Sequence, residues 1–94
     1  RGIAQQMGFG SYVAAAAEVS VNERGELKMH RIVAATDCGV AVNPKQIEMQ
    51  VEGSFVYGLS ALLYGACTVK DGAIEQTNFD TYGVMRLAEM PRVE

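Results

Sequence analysis

The sequence predicts an α+β fold: a β-hairpin, a long helix and a second β-hairpin, with the helix packed on a mostly antiparallel sheet. Three observations carry that expectation. Apolar residues alternate through residues 11–21 and 27–36, on either side of a polar turn. Asn43-Pro44 with Gln46 is a compound helix-start signal, followed by an apolar stripe. Asp71-Gly72 lies between two short apolar runs, a strong local signal for a hairpin.

Taken in order, residues 2–10 read as turn-rich, because Gly8-Phe9-Gly10 reaches backbone angles closed to most residues. In residues 11–21 the odd positions Val13, Ala15, Ala17, Val19 and Val21 are apolar, while Glu18 and Ser20 turn the even face polar near the end. That pattern is a strand covered on both faces at first and half exposed later. Asn22-Glu23-Arg24-Gly25 supplies the turn. The returning strand carries Leu27, Met29, Val33 and Ala35 on one face, interrupted by Arg31, with Lys28, His30, Ile32 and Ala34 on the other.

The helix is expected from Pro44 to about Tyr64, with Gly65 as its stop. Ile47, Val51, Phe55, Leu59, Leu62 and Leu63 form its stripe. Gly53 and Gly58 interrupt its interior, each at a cost of about 0.8–1.0 kcal/mol relative to Ala. Such positions are tolerated where a backbone or ligand comes close. Strands at 66–69 and 73–77 follow. Residues 78–94 read as irregular, broken by Gly83 and Pro91, and Val84, Met85, Leu87 and Met90 need a surface to bury against.

Composition narrows the function. The chain has 94 residues, 49% hydrophobic and 20% charged, which suits a globular domain and excludes disorder. Its net charge of −3, without a basic stripe, argues against a nucleic-acid partner. No apolar run reaches the roughly 18 residues that a spanning helix needs. The chain opens on Arg1 and ends on Glu94 with no polar tail, so residues 1–94 are expected to be a single fragment of a longer polypeptide.

Few side chains invite chemistry. His30 is the one histidine, so no multi-histidine metal site exists, and beside Lys28 and Arg31 it reads as a solvated surface residue. Cys38 and Cys67 lack a third ligand and read as free buried thiols. Ser54 and Ser60 have no histidine partner for nucleophilic work. Asp37, where the chain leaves the sheet, either braces the loop or acts directly in catalysis. Gln50 is the polar residue of most interest, since a carboxamide both donates and accepts and Gly53 would clear space for a ligand. By residue type alone, it is a surface glutamine.

Asp37-Cys38-Gly39, Asn43-Pro44, Gln50-Val51-Glu52-Gly53 and Gly58 together resemble the large-subunit signature of molybdenum hydroxylases, the xanthine dehydrogenase and aldehyde oxidoreductase family. Gly8-Phe9-Gly10-Ser11, Ala17-Glu18-Val19, Lys70-Asp71-Gly72, Asn78-Phe79-Asp80 with Tyr82, and Met90-Pro91 are similar to the isoquinoline 1-oxidoreductase beta-subunit-like branch. The resemblance implies a molybdopterin-dependent oxidoreductase that oxidises aldehydes or hydroxylates an N-heterocycle carbon with oxygen from water. It implies a molybdenum–pterin cofactor contacted by Gln50, with Gly53 permitting close approach. Asp37, Gly39, Asn43 and Pro44 match turn-shaping positions.

An iron–sulfur small subunit and a small-molecule substrate are the implied partners. The family's catalytic base is a glutamate in a glycine-rich segment that this chain lacks, and neither Glu89 nor Glu94 has that setting. No catalytic residue and no metal ligand is therefore assigned, and the 94 residues alone are expected to be inactive, without cofactor, and prone to self-association through Val84, Met85 and Leu87. The competing reading is a non-catalytic α+β interaction module.

Overall fold

A computed structural model describes residues 1–94. The α+β class is as the sequence predicts, with strands β1 (Gly2–Gly8), β2 (Ser11–Val21) and β3 (Leu27–Asp37), helix α1 (Pro44–Leu63), short strands β4 (Val69–Lys70) and β5 (Ala73–Ile74), a 3₁₀ turn at Leu87–Glu89, and β6 (Arg92–Val93). The residues fall into two compact units, Arg1–Glu48 with Pro91–Glu94, and Met49–Met90.

The first unit holds a four-stranded sheet ordered β1-β2-β3-β6, antiparallel except for the parallel β3–β6 pair. Residues 2–8, expected to be turn-rich, are instead a strand. Only Phe9 and Gly10 form the turn, at φ 51° and 77°, the positive pair that a two-residue hairpin loop demands. Gly2–Gly8 shows no alternation of its own, and pairing with β2 along its whole length makes it extended.

The β2–β3 turn is built around Asn22. Its Oδ1 accepts the N–H groups of Arg24 and Glu26, each at 2.9 Å, and Gly25 takes φ 79°. The register then explains why Arg31 interrupts the apolar face. Glu18 faces Arg31 but Val19 faces Met29, so His30 is an extra, bulged residue. The bulge reverses the alternation beyond it. Met29 before it and Ile32 and Ala34 after it therefore share the face of Val19, Ala17 and Ala15, and Ile32 is the buried apolar residue of this unit. The simple alternation assigns Ile32 to the opposite face, and the bulge overturns that assignment.

Helix α1 starts where expected. Asn43 is its cap, accepting the Gln46 N–H on Oδ1 at 3.3 Å. Ile47, Val51, Phe55 and Leu59 are half-buried, whereas Leu62 and Leu63 are exposed.

The second unit continues from the helix. Gly65 follows its end without a left-handed backbone; its N–H donates to the Ser60 carbonyl at 2.9 Å. Close packing, not φ, selects glycine here, since a Cβ on Gly65 would lie 3.1 Å from the Tyr82 hydroxyl. A Cβ on Gly83 would lie 3.3 Å from that of Tyr64, so Tyr64-Gly65 and Tyr82-Gly83 interlock. The Ser60 Oγ accepts the Met85 N–H at 3.0 Å, and Met85 is this unit's buried apolar residue. Residues 82–90 thus find the surface they need, although Leu87 stays exposed. Asp71 and Gly72 turn the β4–β5 hairpin at φ 51° and 78°, with strands of two residues each instead of the longer runs expected.

Candidate functional site

Gln50 and Gly53 occupy one open face of α1. At about 100° per residue, Gln46, Gln50, Gly53 and Tyr57 fall within about 60° of one another, opposite Val51, Phe55 and Leu59. All four are exposed. Apart from the chain neighbours and the surrounding helix backbone, nothing lies within 4 Å of where a Cβ on Gly53 or Gly58 would sit. The Gln50 carboxamide makes no hydrogen bond within the chain, leaving its donor and acceptor edges unused. A free amide beside an uncrowded helical glycine suits a flat polar group approaching from outside the chain.

Asp37 stands at the sheet end that leads into this helix. Its Oδ1 accepts the Gly39 N–H at 3.1 Å, and Gly39 takes φ 83°, so the carboxylate braces the turn, the first of the two roles its position allows. An open hollow of about 330 Å³ follows, lined among others by Asp37, Cys38, Gly39, Pro44 and Ile47. Cys38 and Cys67 are both exposed. The expected burial fails because each lies in a connecting loop, outside the packed layers.

Other candidates are engaged in structural work. The Ser20 hydroxyl and His30 Nε2 lie 2.7 Å apart on the β2–β3 hairpin, exposed, with no carboxylate bonded to the ring. This pair spans the bulge, and the histidine's place in the bulge is a signal that alternation alone does not reveal. Ser54 donates to the Val51 carbonyl at 2.7 Å. No cluster of three or more histidines, cysteines or carboxylates could hold a metal ion, and no helix is long and apolar enough to cross a membrane.

Both local glutamates have partners within the chain. Glu94 pairs with Arg31 and Arg92 at 3.8 and 3.2 Å. Glu89 accepts the Tyr64 hydroxyl on Oε1 and the Arg86 N–H on Oε2 at 2.8 Å. Those bonds, the tyrosine's foremost, hold its carboxyl below the ordinary range, and the same contact raises the Tyr64 phenol. A carboxylate stabilised in its charged form is a poor proton acceptor.

With that geometry in place, comparison with known proteins decides the family: residues 4–91 match the model of the molybdopterin cofactor-binding domain. The chain belongs to this family. The domain is 30% identical over 84 residues to the beta subunit of isoquinoline 1-oxidoreductase from Brevundimonas diminuta, covering 88% of this chain and 11% of that protein. It is 28% identical over 89 residues to a nicotinate dehydrogenase subunit from Pseudomonas putida, covering 93% and 8%. Quinoline 2-oxidoreductase from Pseudomonas putida 86 shares the fold, with a TM-score of 0.79 at 22% identity over 89% of this domain and 11% of that chain. The domain therefore spans about a tenth of the length of the relatives it matches.

Proposed function

We propose that this domain forms one wall of a molybdenum–pterin site in a larger oxidoreductase, with Gln50 and Gly53 on the cofactor side of α1. The observation that carries the reading is the open helix face, where an unpartnered carboxamide and an uncrowded glycine lie side by side in a molybdopterin cofactor-binding domain. When bound, the molybdenum–pterin group supplies the redox chemistry, accepting electrons as oxygen from water enters the substrate. Gln50 donates and accepts hydrogen bonds to the pterin edge, and the absent side chain at Gly53 lets that edge approach the helix. Asn43 caps the helix and Asp37 braces the turn before it, so both position Gln50 without touching the cofactor.

The substrate class is a nitrogen heterocycle hydroxylated at a ring carbon, or an aldehyde. The names of the isoquinoline and nicotinate relatives support the heterocycle. An iron–sulfur subunit receives the electrons, and the catalytic base comes from another part of the polypeptide. The 94-residue chain by itself binds no molybdenum and turns over no substrate.

Gln50→Ala in the full-length protein tests the assignment. Molybdenum content, measured by elemental analysis, should fall together with turnover while the circular dichroism spectrum is preserved. Unchanged molybdenum and turnover would reject the role of Gln50.

A further inference from the structure

The four-stranded sheet ends on its shortest strand. β2 and β3 pair at ten positions, whereas β6 pairs with β3 at two, Arg92 beside Arg31 and Val93 beside Ile32. Just beyond, the Glu94 N–H donates to the Ile32 carbonyl at 2.8 Å and the Ala34 N–H to the Glu94 carbonyl at 2.7 Å. Local opening concentrates at seams as short as this.

The charges along the seam are ordered. Arg31 and Arg92 stand side by side on one face, and like charges directly opposite each other destabilise a sheet. The bulge at His30 puts Arg31 on that face, together with Glu18. Glu94 returns to it two residues after Arg92. Its Oε2 lies 3.8 Å from Arg31 Nη1 and its Oε1 3.2 Å from Arg92 Nε, so one carboxylate bridges both cations. On the β2 side, Glu18 pairs with Arg31 at 3.3 Å and with Arg1 at 3.4 Å. Charges therefore alternate across the sheet as Arg1, Glu18, Arg31, Glu94 and Arg92.

We propose that the β3–β6 seam is a charge-gated latch, with Glu94 as its bridging charge. With the carboxylate in place β6 stays paired, and without it the repulsion between Arg31 and Arg92 opens the strand. A single exposed ion pair contributes little. Glu94 counts for more, because removing its charge deletes two attractions and unmasks a repulsion at a pairing of only two residues. The latch responds to ionic strength, since salt screens exposed charges. The inference stands apart from the roles of Gln50 and Gly53.

Hydrogen exchange read by mass spectrometry on the full-length protein tests the latch at the amides of Ala34 and position 94. Residues 4–16 of the β1–β2 pair serve as the internal reference. Salt is raised from about 0.01 M to about 1 M, which shortens the Debye length from about 30 Å to about 3 Å. In the parent this should speed exchange at both amides about two- to fivefold. In Glu94→Gln, exchange should already be faster by about that factor at low salt. Added salt should then slow it, because repulsion is what remains to be screened between β3 and β6. Combining Glu94→Gln with Arg92→Gln should bring low-salt exchange back toward the parent.

A role for Glu94 in hydrogen bonding or packing alone would give no reversal with salt and no rescue by Arg92→Gln. Either of those results would overturn the proposal. So would exchange in the parent that ignores salt, a measurement that needs no variant to fold.

Discussion

Replacing Gly53 with alanine separates stability from cofactor binding. Gly53 lies inside α1, its backbone is not left-handed, and no atom beyond its chain neighbours and the surrounding helix backbone stands within 4 Å of the added methyl. Nothing in the chain opposes the change, so the helix should gain the glycine-to-alanine difference of about 0.8–1.0 kcal/mol. In a domain of this size that is a rise in Tm of about 4–8 °C. Gly58→Ala, in equally open space and turned about 140° around the helix, should give the same gain. Gly65→Ala should go the other way by about 1–3 kcal/mol, because its Cβ would sit 3.0 Å from the Ala61 carbonyl oxygen, which is backbone and cannot move aside.

If Gly53 faces the cofactor, Gly53→Ala in the full-length protein should lower molybdenum content even as thermal unfolding of the cofactor-free protein moves upward, the cofactor's own stabilisation being left out of that melt. Gly58→Ala should raise Tm and leave molybdenum unchanged. Thermal melts after cofactor removal and elemental analysis before it provide both readings. A fall in Tm for Gly53→Ala would refute the open-space argument, and an undiminished molybdenum content would refute the site assignment.

Three other perturbations follow from the same structure. Asn43→Ala removes the α1 cap and should lower stability by about 1 kcal/mol, read as a shift in urea midpoint at constant m-value; no shift would show that the long 3.3 Å contact contributes nothing. Phe9→Asn should stabilise the β1–β2 turn by up to about 1 kcal/mol, since Asn tolerates the φ of 51° that Phe9 adopts while fully exposed; a destabilised variant would mean that Phe9 has a packing role. Glu89 binds its proton less readily when folded, so its contribution is present above the ordinary carboxylate pKa of 4.5 and is lost as pH falls through the depressed value. Tyr64 has the opposite sense, contributing below pH 10.0 and losing that contribution as pH rises through its raised value. Urea midpoints should therefore depend less on pH on both sides in Glu89→Gln, and profiles identical to the parent would disprove the coupling.

The local elements are legible because short-range chemistry dictates them. Asn43-Pro44 starts a helix wherever it meets an apolar stripe, and Asp71-Gly72 accepts the positive φ pair of a tight hairpin without help from distant residues. Asn22 closes its turn with its own carboxamide. Gln50 and Gly53 stand out by type and spacing, and the family by the ordered motifs around them.

Other features depend on partners far along the chain. Gly2–Gly8 is a strand because β2 satisfies its backbone, which no property of GIAQQMG announces. The bulge at His30 appears only in the register between β2 and β3, and it moves Ile32 to the buried face. Gly65 and Gly83 resemble ordinary helix-stop and loop glycines until Tyr82 and Tyr64 are seen packed against them. Sequence alone thus determined where the chain turns and where its helix begins, since those follow from backbone preferences within a few residues, and its ordered motifs resemble the family that it joins. Tertiary structure alone decided which face is buried, which glycines are crowded and which carboxylates are already engaged, because each depends on atoms brought together from distant positions.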